Sequence, residues 1–262
     1  MKRFSFLLIF MAFGLMISCE NSGESEGDVS EADILIETDN GEIYIKLYDE
    51  TPRHKENFLK LAGEGFFDGM SFHRVIRNFM VQTGDPRTIE GSTAEGDDAG
   101  YRLEEEINME FIHTEGKVAA ARYPDDVNPK WESSSSQFYI VTGGTVTEEN
   151  LNIAEEYYSS NLQNKLYVEY KEKLDVGEVE GDFNDYLADM GFIYPAYTEA
   201  QRIAYRGKRG TPNLDFQYTI FGEVVKGMDV VRTIEMLPTT GAENFNVPTK
   251  TVRMISVKPI NQ

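Results

Sequence analysis

The sequence predicts a mainly β protein: a closed β-barrel with helical caps and an inserted α-helical segment. Several short runs of alternating apolar residues recur along the chain between turn residues, and only two amphipathic helices accompany them. A further long stretch has apolar residues at three- and four-residue steps, which predicts helices inserted between two of the strands. The 262 residues, of which 40% are hydrophobic, suffice for one such domain with a sizeable core.

The N-terminus has the pattern of a secretory signal. A basic start precedes an apolar run from Phe4 to Ile17, which is too short for a comfortable membrane span. The following MISC resembles the cleavage box of bacterial lipoproteins, in which the cysteine is lipidated and becomes the mature N-terminus. We therefore expect residues 1–18 to be a signal peptide and Cys19 to be a lipid anchor in the bacterial cell envelope, periplasmic or outer-membrane. The alternative is an ordinary signal peptide whose cysteine is incidental.

Charge and composition exclude several kinds of partner. The chain has 45 acidic and 25 basic residues, a formal net charge of -20. This argues against nucleic acid and anionic lipid, because phosphate contacts need clustered Lys and Arg. Membrane contact is expected only through the lipid anchor. Residues 19–32 are polar, acidic and rich in Gly and Ser, which predicts a flexible tether before a domain over 33–262.

The domain opens with a predicted hairpin and helix. Alternating apolar residues flank Asn40-Gly41, the strongest short-range signal for a β-hairpin. Thr51 then provides an N-cap before Pro52, and an apolar stripe predicts a helix over 52–63. Two short strands follow in FHRVI and FMVQTG, with Arg77-Asn78 as their turn.

The rest of the barrel is predicted from separate strand signals. Residues 84–100 are rich in Gly and acidic residues and form a loop; they lack the ligand alternation of a calcium site. Strand signals recur in KVAAAR, QFYIVT, YTIFGEVV and TVRMISV, and GMDVVRTIEML predicts a second helix that stops before Pro238. His54 and His113 lie far apart in the sequence. We assign no metal and no cofactor.

The inserted segment covers residues 145–210. Leu151, Ala154 and Tyr158 have the spacing of an amphipathic helix. The segment carries eight of the chain's 14 tyrosines, and twelve acidic residues against three lysines lie between 148 and 190. Two interpretations stay open: a helical decoration that packs its own tyrosines, or a cap that helps to hold client chains.

One arginine needs a reason for its position. Arg74 stands in a run otherwise patterned as two apolar strands. The spacing between Arg74 and Gln82 allows both side chains to project from the same face of the sheet. His73 alternates to the opposite face, so we interpret it as structural. A guanidinium beside aromatic and thioether side chains suggests a binding or catalytic role for that face.

Four blocks carry a specific resemblance: FHRVIRNFMVQTGD at 72–85, GKVAAAR at 116–122, SSQFYIVTGG at 135–144 and NLDFQYTIFGEVVKGMDVV at 213–231. In this order they resemble the cyclophilin family of peptidyl-prolyl cis-trans isomerases, in particular its exported bacterial branch. The resemblance implies a closed eight-stranded antiparallel barrel capped by two helices, with the active groove on its outer surface. It also implies an enzyme that acts on proline-containing polypeptides; we expect a monomer.

The resemblance also implies the site. In such proteins the arginine of the FHR run is the catalytic residue, which here is Arg74. Independently of the resemblance, Gln82 is well placed to orient Arg74 from the next strand. The wall of the proline pocket corresponds to Phe79, Met80, Tyr139, Leu214 and Tyr218. Gln82 and Gln137 match polar groove positions, and Ala121 with Arg122 matches the strand whose backbone grips the substrate.

The chemistry itself needs no nucleophile. X-Pro rotation is slow because the C–N bond has partial double-bond character, with a barrier of about 18–20 kcal/mol. In the twisted bond the nitrogen regains a lone pair, to which a fixed guanidinium can donate a hydrogen bond. The predicted function is therefore rotation of X-Pro bonds in exported proteins during folding. The alternative is a holdase chaperone that binds proline peptides with the groove and the tyrosine-rich insertion.

The groove departs from the family pattern at several positions. Asn213 stands where many eukaryotic members carry a tryptophan that binds cyclosporin. Tyr139 and Tyr218 replace a phenylalanine and a histidine but keep an aromatic ring, and Arg122 replaces an asparagine. The loop before Gln137 is long and contains the only tryptophan, Trp131, so we expect a different groove rim.

Overall fold

The computed structural model describes residues 28–260, and within them twelve strands and five α-helices. The strands are β1 Ile34–Thr38, β2 Gly41–Leu47, β3 Arg74–Ile76, β4 Met80–Thr83, β5 Arg102–Leu103, β6 Lys117–Ala120, β7 Ser133–Ser134, β8 Phe138–Val141, β9 Gly144–Thr145, β10 Arg209–Gly210, β11 Ile220–Lys226 and β12 Met254–Pro259. The helices are α1 Pro52–Gly63, α2 Glu148–Asp175, α3 Phe183–Asp189, α4 Glu199–Tyr205 and α5 Met228–Glu235. None of these helices is long and apolar enough to cross a bilayer.

Eight strands form one antiparallel sheet in the order β12-β1-β2-β11-β6-β8-β4-β3. The sheet curls until its two edges meet. The backbone amide of Phe72 donates to Val252 O at 3.0 Å, and that of Met254 donates to Met70 O at 2.8 Å. The predicted eight-stranded antiparallel architecture is confirmed, with its edges linked by these bonds rather than by a continuous ladder.

The two faces of the sheet bury different residues, because side chains alternate along a strand. Val81, Phe138 and Ile140 point into the main core, which α1 and α5 cover. Their neighbours Met80 and Tyr139 point outward and form a smaller cluster on the outer face. The outer cluster is where the candidate site lies.

Helix α1 has the predicted limits but not the predicted cap. The Thr51 side chain makes no capping bond. Instead, the Glu106 carboxylate accepts from the backbone amides of Arg53 at 3.0 Å and His54 at 2.9 Å, and from His54 Nδ1 at 2.6 Å. A full negative charge suits the free amides of a helix N-terminus better than a hydroxyl does. Burial acts to raise the pKa of Glu106, but these hydrogen bonds outweigh it and hold the pKa below its usual range.

The predicted first hairpin forms, with its turn displaced by one residue. Thr38 pairs with Gly41, so the loop is Asp39 and Asn40. Gly41 has a φ of +134°, and a Cβ there would lie 2.8 Å from the Val230 side chain. The turn therefore needs glycine for both backbone conformation and packing.

The insertion leaves and re-enters the barrel through a two-residue ladder, which we call the neck. In the neck, β9 and β10 pair antiparallel, with Thr145 opposite Arg209 and Gly144 opposite Gly210. Helices α2, α3 and α4 lie between these strands. Gly143, next to the neck, has a φ of +55°, and a Cβ there would lie 2.3 Å from the Gly210 nitrogen.

The described chain begins inside the expected tether. Val29–Glu31 form a 3-10 turn, and Ala32 is only 2% exposed. Folded structure thus starts before residue 33. The expected signal peptide and Cys19 lie outside the described residues.

Candidate active site

A cavity of about 90 Å³ opens on the outer face of the sheet; we call it the groove cavity. Its lining residues are Arg74, Phe79, Met80, Gln82, Ala121, Arg122, Tyr139, Leu214 and Tyr218. These are nine of the ten groove residues expected from the sequence. The tenth, Gln137, lies beside the cavity and is hydrogen-bonded to Gln82.

Strand register explains why distant residues meet there. Arg74 on β3 is directly opposite Gln82 on β4, and Gln82 is directly opposite Tyr139 on β8. Residues directly opposite each other in an antiparallel pair point to the same face. A single row across three strands therefore carries the guanidinium, an amide and an aromatic wall.

A chain of amides orients the guanidinium. Arg74 Nη1 donates to Gln82 Oε1 at 3.3 Å, Gln82 Nε2 donates to Gln137 Oε1 at 2.9 Å, and Gln137 Nε2 donates to Asp97 O at 2.8 Å. The chain ends on a backbone carbonyl, so each amide has one fixed orientation. Burial lowers the pKa of the Arg74 guanidinium from its usual value. A partly desolvated cation binds an electron pair more strongly than a hydrated one.

The aromatic wall is supported by a stacked arginine. The Tyr139 and Tyr218 rings pack edge to face at 6.1 Å. The Arg122 guanidinium lies 4.5 Å from the Tyr218 ring centre and 5.1 Å from that of Trp131. It also donates to Gln217 O at 3.0 Å, and the side chain is 3% exposed. The Arg122 guanidinium is thus held inside the protein, where cation–π contact with Tyr218 stabilises the wall.

A buried network holds the other tyrosine. His113 Nε2 lies 3.0 Å from the Tyr139 hydroxyl, and His113 Nδ1 lies 2.8 Å from Asp215 Oδ1. Asp215 Oδ2 accepts hydrogen bonds from the hydroxyls of Tyr197 and Tyr205, each at 2.7 Å. In the neutral ring, Nδ1–H donates to Asp215 and Nε2 accepts from Tyr139. Burial raises the pKa of Tyr139 well above its usual value, which keeps the hydroxyl neutral.

Sequence reasoning missed His113 and Asp215. The available signal was Tyr139 itself, which replaces a phenylalanine. A buried tyrosine hydroxyl usually has a hydrogen-bond partner. Two of the donors to Asp215 come from the insertion, so the inserted segment supports the groove through this network.

Helix α2 lies beside the groove. Tyr158 packs on Phe216 at 5.4 Å between ring centres, and Asn161 Nδ2 donates to Gln217 Oε1 at 2.6 Å. Phe216 and Gln217 stand between Leu214 and Tyr218 in the chain, so α2 supports the segment that carries part of the wall. Trp131 is buried in the same cluster, at 2% exposure.

Most tyrosines of the insertion pack within the protein. The buried ones are Tyr158, Tyr170, Tyr186, Tyr197 and Tyr205. Tyr157, Tyr167 and Tyr194 are exposed, each by about half. Tyr170 and Tyr186 pack within the insertion, on each other and on Phe183. The other three also contact Phe216 or Asp215 outside it, so packing of its own tyrosines, the first of the two interpretations, fully accounts for two of the eight.

His73 takes no part in the groove cavity. It neighbours Arg74 on β3, and its ring is largely buried. Burial lowers the pKa of His73 from its usual value. His54 is committed to Glu106 at the start of α1.

Comparison with known proteins gives one consistent family. Residues 33–168 and 201–259 match the family model described as cyclophilin type peptidyl-prolyl cis-trans isomerase/CLD. The unmatched residues 169–200 contain the end of α2 and all of α3. A protein of Staphylococcus epidermidis with the name "Putative peptidyl-prolyl cis-trans isomerase" is 29% identical over 208 residues, 78% of this chain and 81% of that protein. A Staphylococcus aureus protein of the same name is 28% identical over 205 residues, with the same two coverages.

Two solved structures share the fold. The crystal structure of a Cryptosporidium parvum cyclophilin type peptidyl-prolyl cis-trans isomerase has a TM-score of 0.55 and 18% identity, covering 88% of this chain and 98% of that chain. A second crystal structure of that protein, in the presence of the dipeptide Ala-Pro, has a TM-score of 0.53 at 18% identity, with 88% and 99% coverage. At this identity the likeness establishes the fold alone.

Proposed function

Since the chain belongs to the cyclophilin-type peptidyl-prolyl cis-trans isomerases, and is thus an isomerase of X-Pro bonds, we propose that Arg74 is its catalytic residue and that the groove cavity binds the proline ring. One observation carries this proposal: an oriented, half-buried guanidinium lines the same small cavity as an apolar and aromatic wall. Neither element alone would favour rotation of a prolyl bond.

The guanidinium acts on the bond when it twists. The planar amide nitrogen shares its electron pair with the carbonyl, so it is a poor acceptor. At the twisted transition state the pair is localised on nitrogen, and Arg74 donates a hydrogen bond to it. Because this bond is stronger in the transition state than in either ground state, it lowers the barrier. Each gain of about 1.36 kcal/mol is worth tenfold in rate.

The cavity holds the ring while the preceding residue rotates. A volume of about 90 Å³ is small beside the ~300–1,000 Å³ of sites for drug-sized ligands, and it suits a single small ring. Met80, Leu214 and Tyr139 supply apolar contact. Burial raises the pKa of Tyr218 as well as that of Tyr139, so the wall stays uncharged beside the cation.

The amide chain makes Gln82 a positioning residue. Its Oε1 accepts from Arg74, while its Nε2 is committed to Gln137. Because Nε2 already donates to Gln137, the amide cannot rotate to point its NH2 group at the guanidinium. Gln82 therefore acts on the rate through Arg74.

A protease-coupled assay of a proline tetrapeptide tests the assignment. Wild-type protein will accelerate cis-to-trans exchange above buffer, and Arg74→Ala will lower kcat/KM by about 100- to 1,000-fold, the usual loss of a transition-state donor. Arg77→Ala is the matched control, because Arg77 is an exposed arginine three residues away. Equal activity of the Arg74 and Arg77 variants would contradict the role of Arg74.

We also propose that the enzyme works on exported proteins during folding, as a monomer attached to a membrane of the cell envelope through lipidated Cys19. The apolar run before Cys19 and the MISC box support this location. Mass spectrometry of the mature protein will find a lipidated N-terminal Cys19, and Cys19→Ala will release the protein from membranes. An unmodified mature cysteine would refute the anchor, and two chains per particle in light scattering of the mature chain would refute the monomer.

A holdase function is the second candidate, favoured by exposed apolar side chains on the insertion. Ile193 is 84% exposed and Tyr194 is 56% exposed, both between α3 and α4. Exposed apolar residues of this kind suit transient contact with unfolded chains. We expect Arg74→Ala to keep suppressing aggregation of an unfolded client, and Ile193→Ser with Tyr194→Ser to weaken it. These point variants test the exposed surface alone, whereas deletion of the insertion would also remove two hydrogen-bond partners of Asp215. Unchanged suppression in the double variant would exclude this surface.

A further inference from the structure

A second, larger cavity adjoins the groove cavity. It has a volume of about 460 Å³ and lies between helix α2 and the barrel; we call it the α2 cavity. Phe79 lines both cavities, and Asn213, next to Leu214, lines the second. Ala121 and Arg122 line only the groove cavity. The α2 cavity is therefore continuous with one end of the groove.

The α2 side of this cavity is apolar and open. Ile153 and Tyr157 line it and are 57% and 54% exposed. They are four residues apart, so they share one face of the helix. Large apolar side chains that stay exposed on the wall of a concave site are typical of binding surfaces. Tyr157 lines the α2 cavity together with Phe79, which also lines the groove cavity, so this helix face lies beside the groove.

We propose that the α2 cavity is a second subsite for the polypeptide whose proline occupies the groove cavity, and that it takes a bulky apolar or aromatic side chain one to three residues from the proline. The subsite rests on the proposed function of the groove. An extended chain advances about 3.3–3.6 Å per residue, so a neighbour of the proline passes the Phe79 ring within a few residues. An acidic side chain suits the subsite poorly, because the residues that line the cavity include no Lys or Arg to pair with a carboxylate.

The selectivity has a direction. Because the cavity joins the groove at one end only, the preference will appear on one flank of the proline and not on both. Burial of a Phe ring instead of a methyl group is worth about 1.4 kcal/mol or more, which is a tenfold change.

A peptide series tests the subsite. Each peptide contains one proline, with Ala, Leu, Phe or Glu placed in turn at the three positions on either side, and kcat/KM is measured by exchange NMR. We expect Phe and Leu to exceed Ala by about tenfold at one or two positions on one flank, and Glu to fall below Ala there. A response within twofold at every position would overturn the subsite.

Two variants test whether the side-chain preference depends on the α2 cavity. Ile153→Ser with Tyr157→Ser will reduce the Phe-to-Ala ratio at the responsive position toward one, whereas Ile203→Ser, at a 53% exposed position on α4, will keep it. A ratio that survives the double variant would place the preference elsewhere. Circular dichroism and the unfolding midpoint verify that each variant folds. Wild-type protein that isomerises every peptide equally contradicts only the subsite, while absence of turnover on all peptides contradicts the proposed function.

Discussion

His113 Nε2 lies 3.0 Å from the Tyr139 hydroxyl, while the other nitrogen of the same ring lies 2.8 Å from Asp215. Tyr139 belongs to the groove cavity, and Asp215 accepts from two tyrosines of the insertion. The imidazole therefore connects the wall of the cavity to the inserted helices. All of these groups are buried, so a lost partner cannot be replaced cheaply by water.

Removal of the Tyr205 hydroxyl will destabilise the protein. Tyr205→Phe takes one donor from buried Asp215 and should lower the free energy of unfolding by about 1–3 kcal/mol in urea titrations. Tyr167→Phe is the control, because the Tyr167 side chain is 48% exposed. Equal stability of the two variants would mean that the bond to Asp215 contributes nothing.

Loss of Gln82 will affect the rate only through Arg74. Gln82→Ala removes the amide that orients the guanidinium, and kcat/KM should fall by about tenfold, or 1.4 kcal/mol. In an Arg74→Ala background the same change should have no further effect, since there is no guanidinium left to orient. Additive losses in the double variant would show that Gln82 acts independently.

Acid will destabilise the fold through His73. Its pKa is lowered mainly by burial, with Asp85 opposing and Arg74 and Arg87 adding to the shift. The unfolded chain, with a His pKa of about 6.5, thus binds a proton that the folded chain excludes, and stability falls as the pH drops below about 6.5. Above that pH the contribution is constant.

His73→Phe keeps a ring but cannot titrate. Unfolding titrations from pH 8 to pH 5 should show a smaller loss of stability for the variant than for wild-type protein, with the divergence starting near the unfolded His pKa of about 6.5. Parallel curves would assign the acid sensitivity to other groups.

Alanine at Gly143 will strain the neck. Gly143 and Gly177 both have positive φ, +55° and +76°, so either alanine costs about 1–2 kcal/mol. Only at Gly143 would the new Cβ also meet backbone, at 2.3 Å from Gly210 N; at Gly177 nothing lies within 4 Å. Gly143→Ala should therefore cost at least about 1–3 kcal/mol more than Gly177→Ala, measured by chemical unfolding. Equal costs would mean that the neck moves to accept a methyl group.

The regular elements were predictable because their patterns are local. Helix α1 has the limits that Pro52 and the apolar stripe predict, and β3 and β4 lie where alternation predicts them. The two-residue strands β5 and β7 have no period to detect and exist only because they pair with each other. The cap of α1 by Glu106 joins groups 52 and 53 residues apart, a separation that no local pattern encodes.

The same distinction applies to the site. Arg74 and Gln82 could be found because two-residue alternation puts them on one sheet face, and the family motifs supplied the remaining groove positions. The network of His113 and Asp215 spans 102 residues and depends on tyrosines within an insertion, so nothing near either residue marks it. The position of helix α2 beside the groove could not be predicted either, because amphipathic spacing predicts that a segment is helical but not where the helix lies in the fold.

The contacts of Arg122 with Tyr218 and Trp131 at the cavity wall also give the protein an intrinsic fluorescence signal for ligand binding. Trp131 is the only tryptophan, and a single guanidinium, that of Arg122, lies between its indole and the Tyr218 ring. A ligand that presses on Tyr218 alters the electric field at the indole, and fluorescence emission is sensitive to that field. Titration with unlabelled peptides can then follow occupancy directly, with no chromophore attached to the substrate.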